Sequence, residues 1–291
     1  MKNIFEIAGD EGCGSNQLLW PRAIAGDVNG NTFVVDTYTH QVQRYSPDGD
    51  ITIVAGGNGN GSHANQLSIP NGIHIDNTGN IYILDAGNHR IQLWAPDATE
   101  GITVAGGNGR GNGSPSGMFV DCNGDIYVSD KIENHIQKWA PGATEWVIVA
   151  GGNGEGSNPN QFNCPSGVDV DVDGNIYILD KNNHRIQKWA PGATEGITII
   201  GGNAGGSDAN QLKNPHGFHI NSDGIIYIAD SNNHRIQKWA PGATEGITVA
   251  GGNGRGSLLV QFDYPCDVYV DDNENIFVAD LCNHRVHLWA K

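Results

Sequence analysis

Histidines, cysteines and carboxylates that could carry chemistry recur at regular spacing along this chain of 291 residues. Asp169 and His219, 50 residues apart, could supply a carboxylate–imidazole pair, the ordinary way to orient a general base. His216 and Cys266 are nitrogen and sulfur donors of the kind zinc prefers, but a protein zinc site usually takes three or more ligands. Five further histidines, His40, His89, His184, His234 and His284, share one repeated position and cannot converge on one ion. Hydrogen bonds within their own loops suit them better. The GGNG segments look like phosphate-cradling loops, yet no helix follows to aim its N-terminus at an anion. They read as strand exits and flexible top loops. DVNGN (27–31) and DVDGN (171–175) suggest calcium loops but lack the spaced ligands and the distal Glu; a hairpin turn explains them better.

The positioning elements follow from the period. A motif of β-branched and aromatic residues closes on Asp36, Asp85, Asp130, Asp180, Asp230 and Asp280, at intervals of 49, 45, 50, 50 and 50. Six copies cover the chain. The short interval arises where GGNGRGNGSP, before Pro115, lacks the NQL or NQF of the other copies. Each copy holds four short strand-like runs joined by Gly/Asn turns, and none shows a sustained helical period. This predicts an all-β, six-bladed β-propeller with four-stranded antiparallel blades, one domain over residues 1–291. The last copy stops after its third strand, and IFEIAGD near the start matches the missing fourth. The N-terminal strand is therefore expected to complete blade six and close the ring. Tyr45, Trp94, Trp139, Trp189, Trp239 and Trp289, each nine residues after an anchoring Asp, are expected to fill the wedges between blades.

The segments NHRIQKW (183–189 and 233–239), PNGIHID (70–76) and DGNIYILD (173–180) resemble NHL repeats, and the resemblance spans the chain. It implies the propeller but not one function, since NHL propellers include scaffolds, RNA binders and enzymes. In the amidating lyases, which resemble NHL propellers, three residues one place after such prolines are His and hold a metal. Here that ring reads Arg22, Asn71, Ser116, Ser166, His216 and Cys266, so only His216 matches. Three residues further on, the inner column is Ala25, His74, Phe119, Asp169, His219 and Tyr269, diverse and partly polar where the rest of the repeat is nearly constant.

Sixteen Lys and Arg against thirty-two Asp and Glu give a net charge of −16, and seventeen of those carboxylates fall in the bottom loops, which hold no Lys or Arg. This argues against nucleic acid, most strongly on that face. The top loops carry Arg22, Arg110, Lys131, Lys181, Lys213 and Arg255, with the non-repeating aromatics Trp20, Tyr38 and Tyr264. The leading expectation is a monomeric, non-catalytic binding scaffold that takes a protein, peptide or glycan at the top. Trp20, Arg22, Tyr38, Asn71, His216, Tyr264 and Cys266 would meet the ligand, with His74 and Tyr269 deeper. The alternative is a lyase or hydrolase using the channel, with Asp169 and His219 and a metal at His216 and Cys266. No cofactor is called for, though a divalent cation could settle in the channel or on the acidic bottom. Cys266 and Cys282 are placed to pair, with Cys13 competing, and Asn60 and Asn112 begin N-x-S sites that would suit a secreted origin. No signal peptide or membrane span is legible.

Overall fold

A computed structural model of the chain describes residues 4–9, 11–12, 14, 16–107 and 113–291. Cys13, Arg110 and Asn112 lie outside them. Six four-stranded antiparallel sheets surround an axis. Blades one to five occupy residues 21–56, 70–106, 115–151, 165–201 and 218–251, each running from innermost to outermost strand. Blade six takes three strands from residues 265–289 and its outermost strand from Ile4–Ala8, with Ile4 opposite Trp289 and Ala8 opposite Val286. The ring closes as the sequence requires. Among the described residues the helical pieces are three-residue 3-10 turns, and no helix is long and apolar enough to cross a membrane.

Each hydrophobic cluster is shared by two neighbouring blades, so the core is a set of wedges rather than one centre. The aromatic column fills them: Trp94, Trp189 and Trp239 are each 2% exposed. The NQL/NQF segments supply a second filler. Leu18, Leu67, Phe162, Leu212 and Phe262 are fully buried between consecutive blades, each worth about 2–3 kcal/mol of burial. These top loops are not the flexible connections expected. In the loop before blade four, Asn153 Nδ2 donates to Asn160 O at 3.0 Å and Gln161 Nε2 donates to Asn153 O at 2.9 Å. The Arg185 guanidinium then donates to Ser157 O, Asn158 O and Gln161 O, and its Nε to buried Asp180 at 2.8 Å. Arg90, Arg235 and Arg285 repeat this clamp. Blade three lacks the filler, and its clamp position is His135. Trp146, replacing the glycine of blades two, four and five, lies against His135 with ring centroids 5.2 Å apart, beside a cavity of about 270 Å3.

The bottom turns are hairpins, as expected. Asp171 Oδ1 accepts the Asp173 and Asn175 amides at 3.1 and 2.8 Å, and Gly174 takes the left-handed φ of +80° that the turn needs. One blade departs from the repeat, and one expectation fails. The inner strand of blade five begins at Phe218, whereas the other five begin at their prolines. There the neighbouring blade places Asp267, where other copies carry glycine or alanine, and its carboxylate fills the space beside Gly217. Cys266 and Cys282 are both free thiols. The Cys266 side chain turns toward the Pro21 and Arg22 carbonyls of blade one, at 3.2 and 3.3 Å, while Cys282 sits in a 3-10 turn.

Candidate functional site

The six inner strands line a central channel of about 610 Å3. Its upper ring is Arg22, Asn71, Ser116, Ser166, His216 and Cys266, and its lower ring is Ala25, His74, Phe119, Asp169, His219 and Tyr269. In the upper ring, Ser116 Oγ donates to Pro165 O and Ser166 Oγ to His216 O, both at 2.8 Å. With Cys266 on the Pro21 carbonyl, these short polar groups stitch the inner strands of blades three, four and six to the next blade. Burial pushes the Cys266 thiol well above its usual range, so it stays protonated. His216 is held well below the ordinary imidazole range, by burial first and then by the charges of Lys181, Arg22 and Lys131. Among the described residues no three His, Cys, Asp or Glu side chains converge, which leaves His216 and Cys266 without a third donor.

The lower ring does not make the pair expected of it. Asp169 accepts hydrogen bonds from the Val170 amide at 2.7 Å and from the Ile220 backbone amide on blade five. Burial pushes its carboxyl up to about 7. His219 instead lies edge-on to Tyr269, ring centroids 5.4 Å apart, and burial lowers it to about 4. No hydrogen bond joins it to Asp169: adjacent blades bring the two backbones together, but nearby amides capture the carboxylate first. His74, across the ring, is likewise lowered to about 4 by burial and packs edge-on to Phe119 at 5.0 Å. Tyr269, pushed up to about 12 chiefly by burial, covers Gly26, where an added Cβ would collide with its ring.

Four of the five repeated histidines act between blades rather than within their own loops. His40, His184, His234 and His284 accept, through Nδ1, the amides of Ile69, Asn214, Tyr264 and Trp20 at 3.1–3.3 Å. In blade three Asn134 Oδ1 accepts the Cys164 amide at 2.9 Å in the same way. Each donor immediately precedes the next blade's proline and is held at positive φ, a conformation this position rarely takes. Trp20 and Tyr264 are therefore fixed on the top face. Tyr38, 49% exposed, meets Trp20 edge-on at 5.6 Å.

Two features escaped the sequence reading. Asp267 lines the channel and accepts the Ile24 amide at 3.0 Å; its break in a column of glycine and alanine was the available signal. Lys131 and Lys181 follow the anchoring aspartates, where other blades carry Thr37, Ala86, Ser231 and Leu281, and this break in the column distinguishes them from the other top-loop charges. Each follows the aspartate paired with the proline that precedes its blade's upper-ring residue, and both charges act on His216, so they lie near that ring.

An NHL-repeat model matches residues 67–93, 162–189, 212–239 and 262–287, each running from a buried filler to the third strand of blades two, four, five or six. The chain is an NHL-repeat propeller. The unmatched blades one and three are those in which Gln41 and His135 replace the clamp arginine of the NHL blades. No curated protein sequence matches the chain significantly. Among solved structures, the NHL propeller is similar to an auxiliary nutrient binding protein from Bacteroides thetaiotaomicron: TM-score 0.73, 16% identity, over 99% of this chain and 76% of that one. It also superposes on a gluconolactonase from Xanthomonas campestris, with TM-score 0.72 and 12% identity over 99% and 89% of the chains. A virginiamycin B lyase from Staphylococcus aureus follows, with TM-score 0.64 and 14% identity over the full length of both. At such identities the likeness is one of fold.

Proposed function

We propose that this NHL propeller is a binding module that receives a peptide end or small glycan in the top of its channel and releases it unchanged. The observation that carries this reading is the commitment of the channel's candidate catalytic groups to the scaffold. Asp169, Asp267, Ser116, Ser166 and Cys266 all bond backbone groups, and each reaches across to the next blade. What they leave is a concave space of about 610 Å3, within the range of small-ligand pockets. Six positions with five different side chains ring its mouth on an otherwise repetitive frame. The fold is shared by a nutrient-binding protein and by two enzymes, so the test must separate capture from turnover. Purified protein is denatured and the released molecules are identified by mass spectrometry. That ligand is then incubated with fresh protein and followed over time. A stoichiometric ligand, recovered unaltered and lost in His216→Ala, is expected; conversion to a product would assign the channel to an enzyme.

A further inference from the structure

The channel mouth holds charge that the protein itself does not neutralise. Arg22, Lys131 and Lys181 form no ion pair with any described carboxylate, although the chain carries twice as many acids as bases. The clamp arginines, by contrast, each hold a buried aspartate. Arg22 belongs to blade one and Lys181 to blade four, on opposite sides of a six-fold ring. Their charges nonetheless bear on one another, as does that of Lys131, and Arg22 itself lines the channel. Arg22 Nε is buried without an acceptor, and Asn71 Oδ1, on the adjoining blade, is buried without a donor. Each of these orphaned atoms belongs to a residue in the wall of an open cavity and is costly unless something arrives to satisfy it.

We propose that the channel mouth binds an anionic head group, a carboxylate or phosphate, that carries a neighbouring O–H or N–H donor. Arg22 donates to the anion, Lys131 and Lys181 neutralise it, and Asn71 accepts from the adjoining donor. The channel's own carboxyls do not occupy this place, because Asp267 is engaged by the Ile24 amide and Asp169 by those of Val170 and Ile220. Three cations around one opening, with the acidic loops on the opposite face, also draw anions in from the top. The cavity encloses a small molecule or a chain end rather than a polynucleotide.

This inference rests on the binding-module reading and is tested separately from it. Calorimetric titration of the full chain uses glycolate, inorganic phosphate, glucose as a neutral control, and oligouridylate. Glycolate or phosphate is expected to bind and glucose not; whichever anion binds more tightly names the head group. Arg22→Gln and Lys181→Met should each weaken that binding about tenfold, whereas Lys213→Met, on an exposed top loop, should leave it unchanged. Lys131→Met supplies a second variant should Arg22→Gln fold poorly. Equal losses in Lys213→Met, or oligouridylate binding far more tightly than phosphate, would replace a mouth site with a diffuse basic face. If neither anion binds while the molecule recovered from the channel is neutral, the head-group assignment fails and the binding module stands. Turnover of that molecule sinks the binding reading instead.

Discussion

The Asp267 carboxyl accepts the Ile24 amide in the channel wall, and burial pushes it from 3.8 up to about 7. Its ionised form is penalised in the fold and not in the unfolded chain. Stability from this group is therefore full below pH 4 and is lost as pH rises through about 7. Asparagine keeps an oxygen for the Ile24 amide and has no charge to bury. Asp267→Asn should thus be more stable than the parent at pH 8, by on the order of 3 kcal/mol, with the advantage vanishing at pH 4. Denaturant midpoints of the two proteins at both pH values decide the matter, and a difference that ignores pH refutes it. Asp267 also marks a limit of sequence reading at this scale. Its column could be found by alignment with Gly72, Gly117, Gly167 and Gly217, but only coordinates reveal which amide the side chain reaches. The same limit misled the reading of Asp169 and His219. Spacing placed them on adjacent blades correctly; side-chain direction, decided by competing backbone amides, was not legible.

Between elements, the histidine staple has the clearest consequence. His234 Nδ1 accepts the Tyr264 amide at 3.2 Å across the junction of blades five and six. Removing the acceptor in His234→Ala leaves that amide unpaired and places alanine at a φ of +52°, together costing about 2–3 kcal/mol. Asn134 makes the same bond in blade three, so His234→Asn should cost little at neutral pH. Protonation of Nδ1 would break the staple. Burial lowers the His234 pKa from 6.5, so its contribution is complete above pH 6.5 and is lost as pH falls through the folded value. His234→Asn should therefore gain on the parent as pH is lowered from 8 to 5. Thermal midpoints of the three proteins check this, and equal losses in both variants would deny the bond any role. The strands, turns and aromatic wedges around this staple were readable because their residue types and period are dictated locally. The staple and the reach of the arginine clamp into the preceding loop were not, because the partners there are backbone groups that carry no residue identity. A repeated histidine announces that it has a partner but not that the partner lies on the next blade.

At the scale of the whole ring, closure depends on a few residues far from their blade in sequence. Phe5 lies opposite Leu288 and Glu6 opposite His287, while Ile4, Ile7 and Ala8 join clusters that weld blade six to blades five and one. Glu6 also approaches Arg285 at 3.5 Å. A propeller whose last blade lacks its outer strand exposes an unpaired edge and loses apolar cover along one wedge. Removing residues 1–8 should cost about 3–5 kcal/mol from the buried side chains alone, and the bare strand Arg285–Trp289 becomes a template for another chain. Loss should therefore appear both as a lower denaturation midpoint and as concentration-dependent association by sedimentation. Adding a synthetic peptide of residues 1–8 should reverse both, since it restores the missing strand without altering any other contact. A truncated protein that stays monomeric with an unchanged midpoint would mean that blade six is held by its inner three strands alone. The channel mouth supplies an internal reporter, because Arg22 and Cys266 meet across this same junction of blades six and one. Opening the closure should weaken binding at the mouth in proportion to the fraction of rings left unclosed.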